Sequence, residues 1–344
     1  MLSHSVHALP CARIDVRRGL KAYGASIHTN INLFEDHKFV RLLELPTSSN
    51  SASSFSQALA GGSFQNGTIN AVVSPDIRTP FAFPFNLNMG ITADIKNLAD
   101  ENGRHDNSTS KAVENYWQVR TVAAQMRMPS FLQDRMVNCA QQIHSTGQPG
   151  SLLLVSGGHP FRRHWPINCL FPNSFSLLRI AHELRNSGAI ASGVQFWAVE
   201  NPLVNSVDRL EKKIIAGAEA IIVQPPLLPE RFKRWWDEAN HRGLLDMTEV
   251  IVGIPLLTSA RNFAFWLHLT EASGKEAEAQ LQEFQKAEAC QYVSGVMKSA
   301  FCKAWNLKTI EMVKSLPKVS GMHLMPITAQ GWRYLEELVT EGKL

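Results

Sequence analysis

Hydrophobic residues in this chain form short runs, each followed by a polar turn and then by a stretch with helical periodicity. The runs are rich in aliphatic and β-branched residues and have the length of strands. Eight of them are predicted as strands: Phe39–Leu45, Ile69–Ser74, Trp117–Val122, Ser151–Ser156, Val194–Val199, Ala220–Gln224, Val250–Ile254 and Met322–Pro326. Continuous apolar strands that alternate with helices are typical of a parallel sheet covered by helices. Eight such units predict an α/β fold, a (β/α)₈ TIM barrel.

Helix start signals precede the amphipathic stretches, as expected for capped helices. The candidate N-caps and first-turn prolines are Ser130, Asn173, Pro229, Ser259 and Thr328. The predicted helices are Phe131–His144, Phe175–Arg185, Val207–Ala216, Pro229–His241, Ala260–Leu269 and Ala329–Val339. We also expect extra helices between the seventh and eighth strands, at Lys275–Ala289 and Val296–Ser315.

A doubly wound sheet is the alternative arrangement. It would normally carry a glycine-rich dinucleotide loop after its first strand. Here that strand ends in Glu44-Leu45-Pro46-Thr47, and no G-x-G-x-x-G follows. We therefore expect one barrel domain over residues 36–344, preceded by an N-terminal extension of residues 1–35 that could serve in targeting.

The composition is that of an ordinary globular protein. Of the 344 residues, 44% are hydrophobic and 19% are charged, which excludes disorder of the whole chain. No apolar run approaches the ~18–20 residues of a membrane helix. Five cysteines without a C-x-x-C pair indicate a reducing compartment and argue against a zinc cluster, so we expect no metal site.

Charge is concentrated at the start of the chain. The formal net charge is +4, and four basic residues but one acidic residue fall within residues 1–22. The rest of the chain is close to neutral, so we expect neither nucleic acid nor a membrane as a partner. Residues 1–22 are either a transit peptide for a mitochondrion or plastid, or an extension of a cytoplasmic protein.

Active sites of these barrels lie at the C-terminal ends of the strands, which makes Glu44 a candidate catalytic residue. It lies inside a strand between Leu43 and Leu45, where a charge is costly without a partner or a function. A carboxyl group in such a place would have a raised pKa and could donate a proton. The structural alternative is an ion pair with Arg41 or Arg120.

Other strand ends supply further candidates. Gln224 ends the run Ala-Ile-Ile-Val-Gln, and its amide suits recognition of a heterocycle such as a pterin, or simply bonds the sheet's backbone. The turn Gly157-Gly158 would let the backbone approach a ligand closely, and His159 follows it. His323 lies in the eighth strand, where it is either a core histidine or a functional one.

The chain resembles the methylenetetrahydrofolate reductase family in several stretches. The clearest is Asp208–Gln224, which has lysines before Ala-Gly-Ala and a strand that ends in Gln. Glu249–Pro255 and Gly321–Ile327 are similar to the family's last two strands, and Glu44 stands where the family has a Phe-Glu-Phe strand. The family fold is a (β/α)₈ barrel, in agreement with the strand count.

The resemblance implies a role for each matching residue. Glu44 would be the general acid that assists opening of the folate imidazolidine ring, and Gln224 would bind the pterin. His323 would lie below the folate, and Lys213 would face the phosphates of FAD. In the family, FAD takes a hydride from NAD(P)H and passes it to methylenetetrahydrofolate.

The chain departs from the family after the fourth strand. The family's Arg-Gly-Asp-Pro-Pro is replaced by Ser156-Gly157-Gly158-His159-Pro160, so Gly157, Gly158 and His159 are the candidate cofactor contacts there. Three interpretations follow: a divergent reductase with FAD, a folate-binding one-carbon enzyme without flavin, or a non-catalytic barrel that serves as a subunit or scaffold. The expected partners are a folate substrate and either a second copy of the chain or a partner subunit.

Overall fold

The computed structural model describes residues 33–45, 68–75, 116–123, 129–145, 147, 149–156, 172–289 and 297–344. These residues belong to one compact unit that spans residues 32–344. The extension predicted for residues 1–35 therefore lies outside the described residues, apart from its last three.

Eight parallel strands pair in chain order and close into a barrel, because the last strand returns to pair with the first. The strands are β1 Val40–Glu44, β2 Ala71–Ser74, β3 Trp117–Ala123, β4 Gly150–Val155, β5 Gln195–Glu200, β6 Ala220–Val223, β7 Glu249–Ile254 and β8 Gly321–Leu324. At the β1–β8 seam, Val40 lies opposite Gly321 and Leu42 lies opposite His323. The predicted (β/α)₈ barrel is confirmed, with strand ends that differ by one or two residues.

Helices follow strands β3 to β8 on the outside of the barrel, and a short helix precedes β1. They are α1 Leu33–Asp36, α2 Pro129–Ser145, α3 Ser174–Asn186, α4 Val207–Ile215, α5 Pro229–His241, α6 Ala260–Leu269, α7 Lys275–Ala289, α8 Met297–Ser315 and α9 Ala329–Thr340, with a 3₁₀ turn at Leu244–Asp246. The extra helices expected between β7 and β8 are confirmed, since α6, α7 and α8 all lie there. The short helix α1 lacks a hydrophobic period and was not predicted.

Most of the predicted caps are formed. The side chains of Asn173, Ser259 and Thr328 each accept a hydrogen bond from the backbone N–H three residues later, at 2.9–3.0 Å. The prediction for Ser130 is wrong, because α2 already begins at Pro129. Proline suits a first helical position since its missing N–H would have no partner there.

Side chains alternate between two separate hydrophobic layers, as the pleat of a strand requires. One layer fills the barrel: Leu33, Val40, Leu42, Ala71, Val73, Trp117, Val119, Leu153, Trp197, Ala220, Ile222 and Ile251. The intervening strand residues, such as Leu43 and Leu324, belong to the larger core beneath the helices. Phe34 of α1 lies against Trp197, with ring centroids 5.8 Å apart. The position of any strand residue in this alternation therefore tells which side of the barrel wall it faces.

The helices inserted after β7 form a compact aromatic block. Phe263 of α6 stacks on Phe284 of α7, with ring centroids 4.3 Å apart, and Trp305 of α8 meets both rings edge-on. The buried side chain of Asn306 in α8 bonds both the N–H and the carbonyl of Leu257, each at 2.8 Å. The block is thereby fixed to the turn that leaves β7.

Gly321 is expected to be essential for closing the barrel. A Cβ atom at this position would lie 2.1 Å from the carbonyl oxygen of Val40, and neither backbone can give way without losing pairing at the seam. Gly321→Ala should lower the free energy of unfolding by about 2–3 kcal/mol, measured by chemical denaturation. Gly193→Ala is the matched control, because a Cβ there meets nothing within 4 Å. Equal stability of the two variants would contradict this view of the seam.

Candidate active site

Three of the residues predicted for the site belong to the inward-facing positions of the strands. Glu44 follows Val40 and Leu42 in the β1 alternation, and Gln224 follows Ile222 beyond β6. His323 lies between Met322 and Leu324, which both face the outer core. These side chains are therefore directed to the barrel interior, at or near the C-terminal ends of β1, β6 and β8, where barrel enzymes carry their sites.

Glu44 and His323 lie next to each other across the seam. The carboxyl Oε2 of Glu44 is 3.4 Å from Nε2 of His323, and their side chains are 26% and 5% exposed. Nε2 of His323 has no hydrogen-bond partner, so the contact is close but not an aligned hydrogen bond. The partner of Glu44 is thus His323 rather than Arg41 or Arg120, the two arginines considered from the sequence. Arg41 instead donates to the carbonyl of Leu344.

Burial shifts the pKa of both members of this pair in favour of the neutral form. Burial raises the pKa of Glu44 to about 7 and lowers the pKa of His323 to about 3, because each charged form loses its hydration. Near neutral pH the imidazole is therefore neutral, and the carboxyl group carries its proton about half of the time. A proton-donating carboxyl group at the mouth of a barrel is suited to general acid catalysis.

Gln224 is positioned by the neighbouring strand. Its backbone N–H donates to the carbonyl of Glu200 at 2.8 Å, which extends the β5–β6 pairing by one step. The side chain is half-buried, whereas Pro225, Pro226, Leu227 and Leu228 beyond it are all buried. The Gln224 amide therefore faces the barrel interior at the end of β6 on a rigid backbone.

Lys213 lies on the other side of the barrel wall. Glu200 alternates with the inward-facing Val199, and so it points outward to α4, where its Oε2 accepts a hydrogen bond from Lys213 Nζ at 2.7 Å. Lys213 also donates to the carbonyl of Val199 and is only 2% exposed. Burial lowers the pKa of Lys213, and the charge of Glu200 acts in the opposite direction. The ammonium group is engaged within the protein, and its assignment to a cofactor remains a prediction.

The remaining predicted contacts, Gly157, Gly158 and His159, lie outside the described residues. Glu200, the partner of Lys213, stands at a strand end but was assigned no role from the sequence. Its signal is the position of a carboxylate at the end of an apolar strand, followed by a lysine on an amphipathic helix. That signal is the same one that drew attention to Glu44.

A cavity of about 440 Å³ opens at the opposite end of the barrel, between Phe34, Lys38, Asp246, Glu249 and Lys318. None of the site residues discussed above lines it. Within the described ranges, no cluster of His, Cys, Asp and Glu could hold a metal ion. Likewise, no helix in this part of the chain is long and apolar enough to cross a membrane.

Comparison with known proteins supports no family assignment. No family model and no curated protein matches the chain. Among solved structures, tryptophan synthase from M. tuberculosis has a TM-score of 0.44 at 12% identity, over 92% of this chain and 96% of that one. Dihydrodipicolinate synthase from Agrobacterium tumefaciens scores 0.39 at 13% identity, over 91% and 100%. A mutant tryptophan synthase alpha-subunit from Pyrococcus furiosus scores 0.38 at 12% identity, over 80% and 98%.

These likenesses are too distant to carry an argument about activity. The barrel itself is established by the strand pairing described above, and it is a fold that many enzymes share. The resemblance to the methylenetetrahydrofolate reductase family stays a prediction.

The environment of Glu44 makes a prediction about stability. Folding raises the pKa of Glu44 from 4.5 to about 7, so the carboxyl group ionises less readily in the folded state than in the unfolded state. The free energy of unfolding therefore falls as the pH rises from 4.5 to 7. Glu44→Gln removes this decrease. The variant should match the wild type near pH 4.5 and exceed its free energy of unfolding by on the order of 2 kcal/mol at pH 8.

Thermal or chemical unfolding across this pH range tests the prediction. The control is Glu283→Gln, which makes the same chemical change at an exposed glutamate on α7, away from the barrel interior. A Glu44→Gln difference that does not vary with pH would show that the carboxyl group has an ordinary pKa.

Proposed function

We propose that the protein is a methylenetetrahydrofolate reductase-like oxidoreductase, which reduces 5,10-methylenetetrahydrofolate to 5-methyltetrahydrofolate with NAD(P)H. One observation carries the proposal. Glu44, the residue that the family resemblance makes the general acid, lies at the end of β1 beside His323, with burial raising its pKa to about 7. The position of Glu44 comes from the barrel, and the reaction is inferred from the sequence resemblance to the family.

In this reaction Glu44 gives its proton to the ring nitrogen that leaves the bridging methylene carbon as the imidazolidine ring opens. A glutamate with an ordinary pKa has already lost that proton at neutral pH, whereas a raised pKa preserves it. His323 does not compete as an acid, since burial keeps its imidazole neutral. Reduction of the opened carbon requires a hydride, which NAD(P)H supplies overall; we assign no residue of this chain to that part.

Gln224 would orient the pterin. Its amide offers a donor and an acceptor side by side, which matches the alternating donors and acceptors of a pterin edge. Gln224 and Glu44 come from different strands, and both face the barrel interior at the C-terminal ends of those strands. Gln224 would thus bind the pterin, and Glu44 would protonate the leaving nitrogen of the imidazolidine ring.

The described residues do not fit the expected flavin contact. A cation that holds the phosphates of FAD must reach the ligand with its ammonium group, and Lys213 directs that group to Glu200 and Val199 on the outer side of β5. If FAD is bound, its phosphates must be held by other residues. The functional argument therefore rests on Glu44 and Gln224.

The arrangement of Lys213 favours a second candidate function. A folate-binding one-carbon enzyme without flavin would keep Glu44 and Gln224 and would have no need of a cation for flavin phosphates. The buried pair of Lys213 with Glu200 is what this candidate expects. The two candidates share a folate site and differ in the cofactor.

The acid role of Glu44 predicts a specific kinetic defect. Glu44→Gln keeps the size of the side chain and removes the proton donor, so turnover should fall by about 10²–10⁴-fold. The affinity for the folate, measured by equilibrium titration, should change by no more than about threefold. Gln224→Ala should do the reverse, with weaker binding and nearly normal turnover once substrate saturates. Unchanged turnover in Glu44→Gln would exclude the acid role.

The cofactor is tested by the visible absorption spectrum of the purified protein, before and after incubation with FAD and gel filtration. A retained flavin spectrum together with reductase activity would support the flavin-dependent reductase. Absence of flavin together with tight folate binding would favour the flavin-free enzyme instead. If neither flavin nor folate binds, both candidates fail.

A further inference from the structure

The carboxylate of Glu200 is the centre of a buried polar network at the end of β5. One of its oxygens, Oε2, accepts from Lys213 Nζ at 2.7 Å. The other, Oε1, accepts from the backbone N–H of Asn201 at 2.8 Å and from Nδ2 of Asn205 at 2.6 Å. Glu200 is 1% exposed and Lys213 is 2% exposed. A buried charge pair persists when its remaining hydrogen-bonding capacity is also satisfied, and here both carboxylate oxygens are in use.

The network continues from this carboxylate into the inserted helices. Asn201 accepts from the N–H of Leu203 through Oδ1, and it donates through Nδ2 to the carbonyl of Thr270 at 2.6 Å. Thr270 is the C-cap residue of α6. Arg231 adds a second link, since it donates to the carbonyls of Leu203 and Ser273. The loop after β5 is therefore bonded directly to the segment that joins α6 to α7.

These links join the connections on either side of β6. The loop of Asn201 follows β5, α6 follows β7, and β6 lies between those two strands. Gln224, at the end of β6, is itself bonded through its N–H to the carbonyl of Glu200. A single residue, Glu200, thus touches the backbone of Gln224, the loop after β5 and the lysine of α4.

We infer that Glu200, Lys213 and Asn201 form a positioning network, which fixes the backbone of Gln224 and holds the α6–α7 insertion beside it as one wall of the ligand site. Lys213 in this arrangement acts within the fold by neutralising Glu200, and it does not bind a cofactor. The part of the inference that names the ligand, a reduced folate bound by Gln224, rests on the function proposed above. The part that concerns the network does not.

Asn201→Ala tests the network because it leaves the Glu200–Lys213 pair in place and removes the side-chain bonds to Thr270 and to the N–H of Leu203. The matched control is Tyr334→Phe, which removes one side-chain bond to a backbone carbonyl, that of Lys303, between α9 and α8. Both variants are compared with the wild type by amide hydrogen exchange, by titration with a reduced folate, and by steady-state kinetics.

We expect Asn201→Ala to speed amide exchange by about tenfold or more at Gln224 and at the end of α6, where the control does not. The KM and the Kd for the folate should rise by about tenfold, while kcat stays within about twofold, since Glu44 lies on the far strand β1. A purely structural role would lower stability without separating KM from kcat.

The outcomes are distinguishable. Faster exchange at Gln224 together with weaker folate binding supports the inference in full. Unchanged exchange at Gln224 overturns the network, whatever the folate result. Faster exchange with unchanged folate affinity overturns the claim that this wall belongs to the ligand site. If the wild type binds no folate, the proposed function fails, while exchange at Gln224 still decides whether the network exists.

Discussion

The pairing of β8 with β1 is the interaction on which the rest of the structure depends. It removes the two free edges that an open sheet would leave and separates an enclosed interior from the core beneath the helices. It also brings Glu44 and His323 together, although they come from opposite ends of the barrel sequence. The close approach of Gly321 to the backbone of Val40 makes this seam possible. The unusual protonation of Glu44 is thus a consequence of how the sheet closes.

The alternation of side chains along each strand determines whether a polar residue faces the barrel interior or the surrounding helices, and therefore which groups it contacts. Glu44 and Glu200 both stand at the ends of apolar strands, yet Glu44 faces the interior and Glu200 faces α4. Inside, the only charged or titratable neighbour found for Glu44 among the described residues is a neutral histidine, so burial raises the pKa of its carboxyl group. Outside, Glu200 has a lysine and an asparagine within hydrogen-bonding distance. One wall therefore carries a carboxyl group with a raised pKa on one face and a buried ion pair on the other.

Much of this could be predicted from the sequence, because strands and helices leave local periodic signals. The strand ends then pointed to Glu44 and Gln224 without further information. The side-chain contacts of these residues were harder to predict, because they depend on which side of the barrel wall each residue faces. For Lys213 a cofactor was expected, and Glu200 was found. For Glu44 the structural alternative was an arginine, whereas barrel closure places His323 beside it. The turn that includes Gly157 and His159 lies outside the described residues, so its role stays a prediction.

The central claim is that burial in the barrel interior raises the pKa of Glu44, so that the carboxyl group keeps its proton part of the time at neutral pH and can donate it. The most direct test is a carbon-13 NMR titration of the Glu44 side-chain carboxyl group in the intact protein, assigned by its loss in Glu44→Gln. The account predicts a midpoint near pH 7. A midpoint near the ordinary value of 4.5 would contradict it and would remove the basis for general acid catalysis at this site.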